Sequence, residues 1–150
     1  MKRTLSIILL ATSCLFYSQA NYKEIKTEKL NSEKIQLAQN FIKSYLNKCL
    51  NNDYSGFADF KLSKAHENFV KNMIQEMCLS DEKNYGQIFL ENLNSAYKEN
   101  ISFLGGVELY IFDAKTEKNK DIKYLSVWIS GKSIIEGMVI TSYKPFKRKN

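Results

Sequence analysis

The spacing of hydrophobic residues changes once along this chain, and that change limits the fold more than any other feature. As far as about residue 97, apolar side chains recur with the 3.6-residue period of helices that bury one face. From residue 101 onward, segments rich in β-branched and aromatic residues alternate with a period of two. Helices followed by strands, rather than alternating with them, are typical of an α+β domain with an antiparallel sheet.

The limits of the predicted elements follow from turn and capping residues. Turn-forming residues at 51–56 end the first helix, and Ser80 is a favourable cap for a third. The pair Gly131-Lys132 is compatible with a tight hairpin between the last two strands. The sequence therefore predicts three N-terminal helices packed on a curved antiparallel sheet of three to four strands. The predicted helices are 31–49, 62–78 and 80–97, and the predicted strands are 101–113, 122–130 and 133–143.

The N-terminus has the pattern of a secretory signal. A short basic start precedes an apolar run, and small residues at Ser18 and Ala20 fit the positions that a signal peptidase reads. The run is too short to span a bilayer as a stable helix, so no membrane span is expected. We predict export to the periplasm or the extracellular space with cleavage after Ala20, the alternative being a lipoprotein modified at Cys14. The predicted segments are a signal peptide at 1–20, a loose leader at 21–31, a single α+β domain at 32–143 and a basic tail at 144–150.

The positive net charge is confined to the two ends of the chain. The whole chain carries 22 Lys and Arg against 16 Asp and Glu. Two of the basic residues lie in the predicted signal and four in the tail, so residues 21–143 balance at 16 against 16. Nucleic-acid binding requires a basic face that displaces counterions from phosphates. We therefore expect no nucleic-acid partner.

Two cysteines remain once the predicted signal is removed. In an exported protein, Cys49 and Cys78 are most simply interpreted as one disulfide, and a pair of buried, unpaired thiols is the alternative. No metal site is predicted, because these cysteines and the only histidine, His66, do not complete a zinc shell. The sequence suggests no cofactor. His66 lies on the apolar stripe of the second helix and is interpreted as a hydrogen-bonded core residue rather than a general base.

The predicted strand register gives the sheet two apolar faces. Centring the hairpins on their turns sets Tyr110 opposite Tyr124 and Trp128 opposite Ile135. One face is then aliphatic and fit to pack on the helices, while the other is aromatic and surrounds Glu108. A second apolar face must be covered by something, and small residues beside a carboxylate suggest a pocket or an interface. The predicted pocket or interface residues are Tyr110, Phe112, Tyr124, Ser126, Trp128 and Gly137.

The order of elements resembles the NTF2-like superfamily, whose cone-shaped α+β domains cap a curved antiparallel sheet with helices. The resemblance covers roughly residues 32–143 and depends on the first helix running into Asn52-Asp53-Tyr54 and on the terminal strands with Trp128 and Gly131. It implies the fold. Members of the superfamily include enzymes, cargo binders and accessory domains, so the resemblance leaves the function open.

Motifs of the common catalytic sites are absent from the sequence, which contains no nucleotide-binding glycine loop, zinc-protease helix motif or nucleophile elbow. The favoured function is an exported, noncatalytic module that binds an apolar small molecule or a protein partner, including a second copy of itself, through the aromatic face. One alternative is a small-molecule enzyme that uses Glu108 as general acid or base, because burial in a cavity would raise the pKa of that carboxyl. Another is a secreted effector or an immunity-type inhibitor protein.

Overall fold

A computed structural model of the chain describes residues 22–99, 106–131 and 133–145. The predicted signal, with Cys14 and the cleavage site at Ala20, lies outside the described residues, as do residues 146–150 of the predicted tail. Residues 101–105 of the predicted strand 101–113 and Lys132 of the predicted hairpin turn also lie outside them. Residues 22–24 of the predicted leader form an edge strand. The elements are β1 (Tyr22–Glu24), a turn of 3₁₀ helix (Thr27–Lys29), α1 (Ser32–Leu50), α2 (Lys64–Tyr85), β2 (Ile88–Glu99), β3 (Val107–Thr116), β4 (Tyr124–Ser130) and β5 (Ile135–Thr141).

Helix α1 begins and ends close to the predicted limits. Its N-cap, Asn31, accepts a hydrogen bond from the backbone N–H of Lys34 at 3.1 Å, which satisfies one of the free amides of the first turn. Its buried face follows the helical period, so the hydrophobic pattern and the cap both favour the same structure. The residues of this buried face are Ala38, Phe41, Ile42 and Tyr45.

The predicted third helix is wrong. The described residues contain two α-helices, because α2 continues through Ser80 to Tyr85 and residues 88–99 form strand β2. Irregularities in the pairing of β2 with β3 explain the error. Register shifts follow Leu90 and Leu93, so the β2 residues that face the helices are spaced by two, three and three positions. Bulges of this kind break the alternation of a strand and imitate the period of a helix. These residues are Ile88, Leu90, Leu93 and Ala96.

The described strands form one antiparallel sheet of five strands in the order β1-β2-β3-β4-β5, where three to four were predicted. Only the last three residues of β2 pair with β1, at Tyr97–Glu99. Among the described residues, no strand pairs with the outer edge of β2 from Ile88 to Asn94. The α+β class is confirmed, and the extra strands come from the segments that had been predicted as a leader and a helix.

Both helices cover one face of the sheet, and their buried side chains form the core with it. Phe41 and Ile42 from α1 and Val70 and Ile74 from α2 pack against a row of fully buried β-sheet residues. Burial of this kind contributes about 25 cal/mol per Å² of apolar surface removed from water and is the main stabilising term. The fully buried β-sheet residues of this core are Tyr110, Phe112, Leu125, Val127, Ile129 and Ile135.

The predicted strand register is wrong, and the error changes which residues share a face. Tyr110 lies opposite Val127, not Tyr124, so the β3–β4 pairing differs from the prediction by three residues. An odd difference exchanges the faces of one strand relative to the other. The β4–β5 pairing also differs, since Trp128 lies opposite Gly137 and a bulge separates Trp128 from Ile129.

Candidate functional site

The six predicted pocket residues do not share one face of the sheet. Tyr110 and Phe112 point toward the helices and are fully buried in the core. The other four lie on the opposite face, where the described residues form a second, smaller hydrophobic cluster around Leu109 and Ile111. A single aromatic surface therefore does not form. The four residues on this second face are Tyr124, Ser126, Trp128 and Gly137.

The second face is covered by the chain's own side chains. Leu109 and Ile111 are fully buried there. Above them, the indole Nε1 of Trp128 donates a hydrogen bond to the Tyr22 hydroxyl at 3.1 Å, which joins the first strand to the fourth. The Lys144 ammonium reaches across from the end of β5 and donates to the Tyr97 hydroxyl at 3.3 Å. The aromatic residues of this face thus pack on the protein's own core.

Glu108 lies on the helix face of the sheet in an ion pair. Its Oε1 is 3.0 Å from the Nζ of Lys34 on α1, and its Oε2 accepts a hydrogen bond of 2.6 Å from the Tyr110 hydroxyl. Both charged side chains are largely buried, with 12% and 15% of their surface exposed. Burial, followed by the hydrogen bond to Glu108, raises the pKa of Tyr110 well above its ordinary value. The geometry indicates a structural contact between β3 and α1.

Glu108→Gln is expected to lower the free energy of unfolding by about 1–2 kcal/mol, because it leaves the shielded Lys34 without its counter-ion. Urea denaturation monitored by circular dichroism measures the change. Glu91→Gln is the matched control, since Glu91 pairs with Lys115, whose side chain is 72% exposed. We expect the control to unfold at nearly the wild-type urea concentration. Equal midpoints for both variants and the wild type would contradict a stabilising role for the Glu108 ion pair.

His66 is buried among aromatic rings, as a core residue. Its ring lies 5.9 Å from that of Phe41, and its Nε2 is buried with no hydrogen-bond partner. Burial lowers the pKa of His66, and the charge of Glu136 partly opposes the shift. The Ser63 hydroxyl caps α2 by accepting a hydrogen bond from the backbone N–H of His66. The contacts of His66 are those of a packing residue, as predicted, but its Nε2 lacks the hydrogen bond that was expected of a core histidine.

The predicted disulfide is confirmed. The sulfur atoms of Cys49 and Cys78 are 2.01 Å apart, and their α-carbons are 4.9 Å apart. A simple helical hairpin would separate the two residues, but here Phe41 packs near His66 while Cys49 meets Cys78, so the contacts advance in the same direction along both helices. The loop between Leu50 and Lys64 allows this arrangement, because it returns the chain along α1 before α2 begins.

Next to the disulfide lies an open cleft of about 620 Å³, between the C-terminal parts of both helices and the beginning of β2. Its inner wall combines the disulfide, which joins the two helices, with apolar side chains from α1 and β2, and its mouth carries Leu50, 70% exposed, and Phe89, 48% exposed. Large apolar side chains at the mouth of a concave site are typical of surfaces that bind ligands. The apolar inner residues are Leu46, Ile88 and Leu90.

A tyrosine and an aspartate form a hydrogen bond with each other in the wall of the cleft. The Tyr45 hydroxyl donates a 2.6 Å hydrogen bond to Oδ2 of Asp81. Burial is the main cause that raises the pKa of Asp81 above its ordinary value of 3.8, and the hydrogen bond from Tyr45 opposes the shift. Burial and the charge of Asp81 also raise the pKa of Tyr45 well above its ordinary value, so the phenol stays protonated.

The turn after α2 shapes one end of the cleft. Gly86 ends the helix with φ 67° and ψ −144°, a conformation that residues with side chains rarely adopt. A Cβ at this position would lie 2.7 Å from Oε2 of Glu117, so the side chain of Glu117 occupies the space that a larger residue would need. The turn brings Glu117 and Lys118 from the β3–β4 loop to the rim of the cleft.

Sequence reasoning did not identify this site, although one signal for it was present. The predicted helix at 80–97 puts Asp81 in its first turn, where a carboxylate is exposed and favourable. In the continuous α2, however, Asp81 follows Cys78 by three positions and lies on the same buried stripe as Ile74 and Cys78. A carboxylate on the apolar stripe of a helix is the pattern that could have indicated the site.

Comparisons with known proteins found no matching family model, no matching curated protein and no matching solved structure. The NTF2-like resemblance therefore stays a prediction. Within the described residues, no group of three or more His, Cys, Asp or Glu is placed to hold a metal ion. None of the helices in the same part of the chain is long and apolar enough to cross a membrane. The function has to be argued from the chemistry of the cleft.

Proposed function

We propose that this protein is an exported, noncatalytic module that binds a small molecule with an apolar body in the cleft beside the disulfide. The observation that carries the proposal is the cleft itself, a concave site of about 620 Å³ with apolar inner residues. Sites for small molecules usually measure about 300–1,000 Å³ and combine apolar walls with few polar groups. In this cleft, the inner polar groups are Tyr45 and Asp81.

The exposed side chains at the mouth supply a driving force for binding. Leu50 and Phe89 are in contact with water in the free protein, and a ligand that covers them removes this apolar surface from water. A fully covered leucine side chain contributes roughly 1.5–3 kcal/mol, so partial covering still changes affinity measurably. The proposed binding site is therefore this cleft and not the aromatic sheet face that the sequence predicts.

Two further features support the noncatalytic and exported parts of the proposal. The Tyr45 hydroxyl and the Asp81 carboxyl of the cleft form a hydrogen bond with each other. The raised pKa of Tyr45 also disfavours the phenolate that nucleophilic chemistry would use. The Cys49–Cys78 disulfide fits an oxidising compartment, where such bonds persist. Together with the signal pattern in the sequence, this favours the periplasm or the extracellular space.

Fluorescence titration with the neutral apolar probe N-phenylnaphthylamine tests the proposal. Leu50→Asp is expected to weaken binding about 5- to 10-fold, because it places a charge at the apolar mouth. Leu79→Asp is the matched control, since Leu79 is 49% exposed and does not line the cleft. We expect its affinity to equal that of the wild type.

Two results would overturn the proposed function. One is the absence of saturable binding to the wild type with this probe. The other is an equal loss of affinity in Leu50→Asp and Leu79→Asp, which would show that the probe adheres to exposed leucines in general. Phe89→Ser and Phe69→Ser form a second matched pair, with 48% and 49% of the phenylalanine exposed, and only Phe89 lines the cleft.

A further inference from the structure

The carboxylate of Asp81 is half-buried without a counter-ion. Its Oδ2 accepts from the Tyr45 hydroxyl, and no Lys or Arg nitrogen of the described residues lies within 4.0 Å of either oxygen. Three other carboxylates of the described chain do have a lysine at this distance: Asp53, Glu91 and Glu108. Asp81 has no such partner, and it lines the cleft beside the disulfide with acceptor capacity left over.

A half-buried carboxylate without a counter-ion favours the binding of a positively charged ligand. Removing a charge from water is costly unless an opposite charge or several hydrogen bonds offset the loss. The hydrogen bond from Tyr45 offsets part of it, and no neighbouring cation lowers the pKa of Asp81. An ammonium group brought by a ligand would supply both the missing charge and up to three hydrogen-bond donors.

The other charges around the cleft add to this preference. Glu82 and Glu117 line it together with Asp81, against the two lysines Lys43 and Lys118. The ammonium of Lys118 donates to the backbone oxygen of Glu82 at 2.9 Å, so part of its hydrogen-bonding capacity is already used. With Asp81 ionised, the cleft carries one negative charge in excess.

From this arrangement we infer that the cleft selects an amphipathic cation: a molecule whose apolar body lies along Leu46, Ile88 and Leu90 and whose ammonium group binds the carboxylate of Asp81. The inference rests on the proposed function and names the class of ligand for the same cleft. Tyr45 acts as a positioning residue, because its hydroxyl holds one carboxylate oxygen and leaves the other for the ligand.

Three ligands that share one decyl chain separate the apolar contribution from the charge contribution. Isothermal titration at pH 7 with decylammonium, decanol and decyl sulfate gives the order of affinity. We expect decylammonium to bind about 10-fold more tightly than decanol, and decyl sulfate to bind more weakly than either. Asp81→Asn is expected to remove the preference for decylammonium and leave the affinity for decanol within about twofold. Glu82→Gln and Glu117→Gln are controls for the neighbouring carboxylates and are expected to retain most of the preference.

The pH dependence tests the same carboxylate without any substitution. Because burial raises the pKa of Asp81 above 3.8, this carboxyl is partly protonated at a pH of about 4. The preference for decylammonium over decanol should therefore increase as the pH rises from about 4 and Asp81 ionises. The groups that face Asp81 and its cleft are Tyr45 and Lys43 on α1, Glu82 and Tyr85 on α2, and Glu117 and Lys118 after β3. The two Glu→Gln controls, titrated over the same range, separate their contributions from that of Asp81.

The possible outcomes distinguish the two proposals. If no decyl ligand binds the wild type, the proposed function and this inference both fail. If all three bind equally, or decyl sulfate binds best, the inference fails and the proposed function stands. A preference for decylammonium that persists in a folded Asp81→Asn variant also overturns the inference. If Asp81→Asn does not fold, the wild-type pH profile decides, because a preference that does not change with pH would exclude the carboxylate.

Discussion

The double variant Cys49→Ser/Cys78→Ser is expected to lose about 3–4 kcal/mol of unfolding free energy. The bond closes a loop between residues 29 positions apart, and in the chain-entropy model the loss of that constraint gives the unfolded chain about this much additional conformational entropy. For a domain of this size, the loss corresponds to a fall in Tm of roughly 10 °C. This is a large share of the roughly 5–15 kcal/mol that stabilises a typical domain.

Urea denaturation of the variant and of the wild type, with and without dithiothreitol, measures the effect. Dithiothreitol should destabilise the wild type to the level of the variant and should leave the variant unchanged. An oxidised wild type that unfolds at the same urea concentration as the variant would contradict the prediction. Titration of the folded variant with N-phenylnaphthylamine would then show whether the cleft, whose wall includes both cysteines, survives the loss of the disulfide.

The second large effect is expected at Phe112. Phe112→Ala should destabilise the protein by about 3–5 kcal/mol, because the ring is fully buried between the sheet and the helices and its removal leaves a cavity. Phe89→Ala is the control, since Phe89 is also on a strand but is 48% exposed, and we expect its effect to stay within about 1 kcal/mol.

Chemical denaturation at equal protein concentration gives both values. Similar losses for the two variants would contradict the strand register of the structure, because that register is what places Phe112 under the helices. A loss of unfolding free energy near zero in Phe112→Ala would contradict that register as well. The comparison therefore tests the face assignment of β3 independently of any ligand.

The elements that sequence reasoning predicted correctly are those whose local signals agree. In α1, the hydrophobic period, the Asn31 cap and the turn residues after Leu50 favour the same limits, and the structure confirms them. The last three strands have β-branched and aromatic residues in alternation. β4 and β5 begin and end within two residues of the predicted limits, and β3 overlaps the predicted strand 101–113, of which residues 101–105 lie outside the described residues. The Cys49–Cys78 bond followed from counting thiols, since only one pairing was available.

Strand β2 and the strand register could not be predicted, for two different physical reasons. Register shifts at Leu90 and Leu93 change the spacing in β2 without leaving a distinctive residue in the sequence. The β3–β4 pairing is regular, but the long loop between these strands does not show in the sequence where its centre lies, so the pairing could slip by three residues. A register error of an odd number of residues then moves whole sets of side chains to the wrong face. For this reason the predicted register puts Phe112 and Trp128 on one face of the sheet, whereas they lie on opposite faces.

The candidate site was missed because it is formed by the elements that were predicted wrongly. The cleft needs β2 as one wall, and Asp81 enters it only because α2 continues to Tyr85. With a third helix in place of β2, Asp81 would begin that helix at the surface. Tyr45 lies on the buried face of α1, but its hydrogen-bond partner is 36 positions later in the chain, which local patterns do not reveal.

The bulges of β2 also bear on the behaviour of the chain at high concentration. From Ile88 to Asn94, the outer edge of this strand has no neighbour among the described residues. A long regular edge of that kind can recruit further molecules strand by strand, up to the cross-β stacking of fibrils. Here the irregularities at Leu90 and Leu93 interrupt the row of amide and carbonyl groups, so an incoming strand finds few consecutive partners. We therefore expect the irregularities of β2, which give its sequence a helix-like spacing, to disfavour strand-by-strand polymerisation as well.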